Sequence, residues 1–128
     1  MTANNSHYRS ECALSTALDV IGDKWSLLLV RDMCMKKTKY GDFLASPEGI
    51  PTNILANRLR RLEETGIVEK KPYQIKPLRY EYMLTDKGAN LLPVLQQLAL
   101  WAHQHIPGCG VPPDWFLNAK PENLMKVK

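Results

Sequence analysis

Long apolar runs are missing from this 128-residue chain, and cysteine, phenylalanine and glycine are sparse at 3, 2 and 7 residues. Without a run of roughly 20 apolar residues, no segment reads as a membrane-spanning helix. The opening MTANNSHYRSEC has no apolar block of the kind a secretory leader carries. The expected location is therefore the cytoplasm, with no membrane partner. Cys12, Cys34 and Cys109 are odd in number and too widely spaced for a disulfide framework or a CxxC metal clip. Repeats and low-complexity blocks are also absent. Hydrophobic residues at 45% and charged residues at 23% fit one ordinary globular core rather than a disordered or coiled-coil chain.

The net charge is +4, too small to demand a polyanionic partner, but its position is informative. Lys36 to Lys87 holds 11 Lys and Arg against 7 Asp and Glu, while the flanks hold 6 of each sign and cancel. The whole excess sits in the middle of the chain.

Residues 1–11 are polar and aperiodic and read as a lead-in. Leu14, Leu18 and Ile21 recur at helical spacing, so a first helix is expected from near Ser15, stopped by Gly22. Asp23 then caps a second helix from Lys24 to about Met35, too apolar all round for a surface element. Tyr40, Phe43 and Leu44 give a short third helix. A fourth runs from about Thr52 to Thr65, with Pro51 before it, Thr52 as N-cap and Gly66 just past its end. Val68 to Tyr73 and Arg79 to Leu84 alternate and form a hairpin around Gln74 to Leu78. Thr85 or Asp86 caps a last long helix bearing Leu91, Leu95, Leu98, Trp101 and Ala102, which Pro93 bends or delays. Residues 107–128 read as an irregular tail with one apolar anchor, Trp115 or Phe116.

The last three of these four helices, the hairpin and another helix match a helix-turn-helix with an appended wing, a mainly α fold with a small β element. With Leu55 at zero on a helical wheel, Leu59 and Leu62 fall within about 40° of it. Asn53, Asn57, Arg60 and Glu64 lie opposite, flanked by Ala56 and Arg61. Such a face suits the major groove: Asn bonds adenine in two places, Arg does the same to guanine, and Ala admits thymine methyls. Thr52 belongs to the same set. Arg58, Lys37 and Lys39 are within reach of phosphates, and Lys76 and Arg79 of the backbone or the adjacent minor groove. The bland alternative is a solvated polar face. The expected partner is double-stranded DNA.

From Cys12 to Trp101 the chain resembles the HxlR-type winged helix-turn-helix transcriptional regulators of bacteria and archaea. The matching strings are Cys12 with ALDVIGDKWSLL at 17–28, YGDF at 40–43, GIPTNILANRL at 49–59, LEETGIV at 62–68, RYEY at 79–82 and LTDKG at 84–88. The resemblance implies a MarR-like winged helix-turn-helix over residues 12–106. It also implies a homodimer built by the terminal helices, a fourth helix in the major groove and a wing on the flanking groove. Leu14, Leu91, Leu95, Leu98 and Trp101 are the expected dimer contacts, and a self-complementary two-fold interface would bury them. Cys12 occupies a place where some members sense oxidants or electrophiles, and is the redox candidate. Its bland alternative is a small hydrophobe at the interface.

Other readings differ in class. A winged-helix module could bind protein or RNA without base-specific DNA readout. A thiol enzyme using Cys12 would need a positioned base, and the histidines, His7, His103 and His105, lie in the lead-in or far along the chain. No enzyme, cofactor or metal is expected. His103, His105 and Cys109 lack a ligand spacing, and two residues two apart cannot share one helical face. A small-molecule or oxidant effector is an expected partner, with a cleft between the winged domain and the dimer helices as a small molecule's place.

Overall fold

The computed structural model describes residues 8–125. Residues 1–7 of the expected lead-in, His7 among them, and residues 126–128 of the tail lie outside the described residues. Three helices come first: α1 (Ala13–Ile21), α2 (Ser26–Cys34) and α3 (Tyr40–Leu44). They are followed by α4 (Thr52–Glu64), the antiparallel strands β1 (Val68–Gln74) and β2 (Arg79–Leu84), then α5 (Asp86–Ala89), α6 (Leu92–His105) and α7 (Asp114–Asn118).

Local chemistry sets these boundaries. The Asp23 carboxylate accepts the N–H groups of Trp25 and Ser26 at 3.0 Å each, supplying acceptors where the first turn of α2 has none of its own. Asp42 does the same for Thr38 and Lys39 at the start of α3. Gly66 closes α4 at φ 79°, a left-handed conformation that favours glycine. Gly88 is required by contact instead, because a Cβ there would lie 2.2 Å from the Ile67 carbonyl oxygen.

The core joins α2, α3, α4, the hairpin and α6 through Leu29, Val30, Phe43, Leu55, Leu59, Leu62, Val68, Leu84 and Leu92. Leu55, Leu59 and Leu62 are all buried, as their spacing requires, and α4 packs on β1. The wing is further tied to the helices by Tyr82, whose N–H donates to the Thr38 carbonyl at 2.7 Å.

Several expectations need correction. The first helix starts at Ala13, two residues before Ser15. Pro51, not Thr52, holds the N-cap position of α4, and Thr52 is its first helical residue. The single long final helix is broken: Thr85 caps α5 by accepting the Gly88 N–H, the chain turns at Asn90 and Leu91, and α6 then starts with Pro93 in its first turn. There its missing N–H costs nothing. Beyond residue 107 the tail is more regular than its composition suggests. It forms α7 and a 3-10 turn at Pro121–Asn123, with Phe116 buried and Trp115 exposed. The Gln96 amide holds this segment by donating to the carbonyls of Phe116 at 2.9 Å and Ala119 at 2.8 Å.

Candidate nucleic-acid interface

Burial of one face of α4 turns the other outward. Thr52, Asn53, Ala56, Arg60 and Arg61 are exposed, whereas Asn57 and Arg58 are half-buried. Asn53 and Arg60 thus present amide and guanidinium groups to solvent on one helix, with the small Ala56 between them. Among the described residues, neither the Asn53 amide nor the Arg60 guanidinium has a hydrogen bond to break before meeting a base edge.

Asn57 and Arg58 are placed differently. Arg58 Nε donates to Asp23 Oδ2 at 2.9 Å, and Arg58 Nη1 donates to Asn57 Oδ1. An asparagine whose carbonyl is already accepting from a neighbour is held in one orientation. The Arg58 charge, expected at a phosphate, is spent first on joining α4 to the cap of α2. Burial pushes the Asp23 carboxyl up, but hydrogen bonds from the Ser26 hydroxyl, the Trp25 N–H, Arg58 and the Ser26 N–H outweigh it and hold the group below the usual carboxylate range.

The flanking cations divide similarly. Lys37 is half-buried and its ammonium lies 3.4 Å from the Ser46 hydroxyl. Arg61 reaches the Asp19 carbonyl at 3.4 Å. Lys39, Lys76 and Arg79 are exposed. Lys39 stands over the Tyr73 ring at 4.4 Å and Lys70 over Tyr80 at 4.6 Å, so two lysines are braced on wing aromatics. Lys70 also lies 4.0 Å from Glu63 of α4, on which β1 packs. The sequence reading missed these tyrosines. Only Lys70–Tyr80 lies across the hairpin, diagonal to the registered Lys70–Tyr82 pair, whereas Lys39 stands at the start of α3 and reaches Tyr73 through tertiary packing that the sequence does not show.

A buried polar network supports the turn before α4. Asp32, fully buried, accepts the Ser46 hydroxyl at 2.6 Å and the Arg31 guanidinium at 2.9 Å. Arg31 also makes a two-pronged pair with Glu48, both bonds at 2.8 Å. The hydrogen bonds to Glu48 raise the Arg31 pKa further, and the same bonds hold the Glu48 carboxyl below its ordinary range. The loop that launches α4 is thereby pinned to α2.

The expected dimer contacts also separate. Leu95 is buried in the protomer's own core and is not free to face a partner as expected, whereas Leu91 packs against that core but stays half-buried. Leu95 belongs to α6, which packs on α2, a contact that the leucine spacing alone did not reveal. Leu14, Leu98 and Trp101 are 68%, 50% and 57% exposed among the described residues. A groove of about 730 Å³ between α2, α6 and the tail is lined by Leu27, Leu98, Ala102, Val111 and Trp115, with Cys109 at its edge.

Cys12 is exposed at the N-cap position of α1. The nearby Arg9 is committed to Asp19, with its Nε 2.6 Å from Oδ1. The Arg9 N–H, the largest cause, and the guanidinium together hold the Asp19 carboxyl below its usual range against burial. Cys34 is the opposite case, since burial pushes its thiol up to about 11. Among the described residues no group of three or more His, Cys, Asp or Glu is arranged to hold a metal ion, and no helix is long and apolar enough to cross a membrane.

The order of elements, the outward polar face of α4 and the braced hairpin define a winged helix-turn-helix, MarR-like in its structural neighbours. Residues 20–108 match the HxlR-like helix-turn-helix family, and the chain belongs to it. An HTH-type transcriptional regulator of Mycobacterium bovis is 35% identical over 101 residues, covering 79% of this chain and 63% of the relative. The chain therefore spans less than two thirds of that relative's length. The Bacillus subtilis regulator YvaP is 31% identical over 90 residues, covering 70% of this chain and 83% of its own. Among solved structures, the redox regulator HypR in its oxidized form shares 34% identity with a TM-score of 0.67, covering 73% of this chain and 97% of that one. The reduced form of the B. subtilis transcriptional regulator YodB shares 28% with a TM-score of 0.63, covering 77% and 97%. These relatives are transcription regulators.

Proposed function

We propose that this protein binds double-stranded DNA sequence-specifically as a homodimer and regulates transcription from an inverted-repeat operator. The observation that carries this reading is α4, with Leu55, Leu59 and Leu62 buried and Asn53, Ala56 and Arg60 exposed on the opposite face. Asn53 and Arg60 contact base edges; Asn57, oriented by Arg58, contributes at the same face. Thr52, Lys37, Lys39, Arg61, Lys76 and Arg79 serve phosphates and the flanking groove. Leu14, Leu98 and Trp101 form the two-fold contact, setting half-sites about one helical turn, or 10–10.5 bp, apart.

Cys12 is the proposed redox element, supported by its exposure and by the likeness to HypR and YodB. Two Cys12 thiols, one from each protomer, lose two protons and two electrons to a hydroperoxide. An S–S bond forms and the hydroperoxide leaves as alcohol and water.

The test is selection of bound duplexes from a random library, followed by affinity measurements against a scrambled duplex at two salt concentrations. Preference of at least ~1000-fold supports base-specific regulation. Equal binding to all duplexes, with Asn53→Ala and Arg60→Ala indistinguishable from wild type, overturns it.

A further inference from the structure

The tip of the wing carries a feature that neither the reader face nor its cations use. Between β1 and β2 the chain turns through Ile75, Lys76, Pro77 and Leu78, and the Gln74 amide donates to the Pro77 carbonyl at 3.1 Å, closing the loop. Such turns ordinarily present Gly, Asn, Asp, Ser and Pro. Here Ile75 is 70% exposed and Leu78 54% exposed, and neither belongs to the core. Single exposed aliphatics need no explanation, but two in a four-residue loop make an apolar point.

That point sits in a basic collar. Lys76 and Arg79 are exposed beside it, and Lys39 and Lys70 are held on Tyr73 and Tyr80 behind it. The hairpin lies beside the reader helix, since β1 packs on α4 and Lys70 comes within 4.0 Å of Glu63. A collar of cations fits the phosphates lining the minor groove. An aliphatic tip finds no partner on phosphate or sugar edges, but it does between base faces, which are apolar once a step is unstacked.

We propose that Ile75, backed by Leu78, enters the minor groove beside the site read by α4 as a wedge between two base pairs, and bends the duplex. The inference rests on the DNA-binding reading above and adds a mechanical contribution to it. A protein that wedges a step selects for deformable sequence at positions it does not read by hydrogen bonds.

The experiment uses the full chain and a duplex recovered by selection, end-labelled for energy transfer and carrying 2-aminopurine at successive flanking steps. The wild type is expected to bend the duplex by about 20–90° and to raise 2-aminopurine fluorescence at one step per half-site. Ile75→Ser is expected to lose the fluorescence rise and most of the bend while its base preference under α4 persists, and Ile75→Leu to restore both. An unchanged bend and signal in Ile75→Ser overturns the wedge and leaves the DNA reading standing, as does a wild type that binds without unstacking any step. Failure to select any duplex over random overturns both. Binding to phosphatidylserine vesicles that Ile75→Ser abolishes, with no unstacking of DNA, reassigns the tip to an anionic lipid surface and also overturns the proposal.

Discussion

Nε of Arg58, on the reader helix, donates to Oδ2 of Asp23 at 2.9 Å, and the same carboxylate caps α2 through the N–H groups of Trp25 and Ser26. One acidic side chain thus starts one helix and anchors another. Both partners are largely buried, at 20% and 19% side-chain exposure, so losing either leaves the other's charge poorly compensated. Arg58→Ala is expected to cost about 1–3 kcal/mol of stability. Chemical denaturation of Arg58→Ala, Asp23→Asn and the double variant measures the coupling, expected at about 0.5–3 kcal/mol. Additive losses would show that the contact transmits nothing between the helices.

The two kinds of DNA contact have different signatures. Arg60→Ala is expected to weaken binding to a selected duplex by about 1–3 kcal/mol and to relax preference at one base position. Lys76→Ala is expected to weaken all duplexes alike and to lower the salt slope by about 1. Titrations at several salt concentrations on selected and scrambled duplexes separate the two. Equal losses on both duplexes for both variants would contradict the division.

Acid sensitivity follows from Asp23 and Glu48. Hydrogen bonds at Asp23 outweigh the upward push of burial, and those from Arg31 dominate at Glu48, so both carboxyls sit below their unfolded values. The stability they contribute is complete above the unfolded carboxylate range, near pH 4, and is lost as pH falls through the lower folded values. Melting temperatures are therefore expected to hold from neutral pH down to about 5 and to drop below about 4. In Asp23→Asn the drop should be shallower from a lower starting point. A drop as steep as wild type would assign acid unfolding to other groups.

Thiol accessibility orders the cysteines. Cys12 and Cys109 are exposed, while burial raises the Cys34 thiol to about 11. In the native protein N-ethylmaleimide is expected to label Cys12 and Cys109 and to reach Cys34 only after denaturation. Mild peroxide is expected to give a covalent dimer on a non-reducing gel, reversed by dithiothreitol and absent in Cys12→Ser. A dimer that persists in Cys12→Ser but disappears in Cys109→Ser would move the redox element to the tail.

Leu98 and Trp101 stand half or more exposed on α6. Leu98→Glu and Trp101→Glu are expected to leave the fold intact and to shift sedimentation from dimer to monomer, with loss of tight operator binding. Unchanged sedimentation in both would remove α6 from the interface.

Much of this fold was legible in the order of residues. Leu55, Leu59 and Leu62 dictate which face of α4 is buried, because a helix repeating every 3.6 residues has only one way to hide three leucines at that spacing. Gly66 and Asp23 mark a helix end and a helix start by local chemistry alone. What the sequence could not determine is which polar groups find each other across long separations. Arg58 reads as a phosphate contact until the packing of α4 against the α1–α2 turn brings Asp23 to it. Leu95 reads as a partner contact until α6 folds onto α2 and claims it. Periodicity reports that a face is apolar and is silent on what covers it, since burial in one's own core and burial against a second copy draw on the same hydrophobic gain. Only the tertiary structure, by bringing distant elements within bonding distance, divided the outward groups of α4 and the wing into those already paired and those left for a partner.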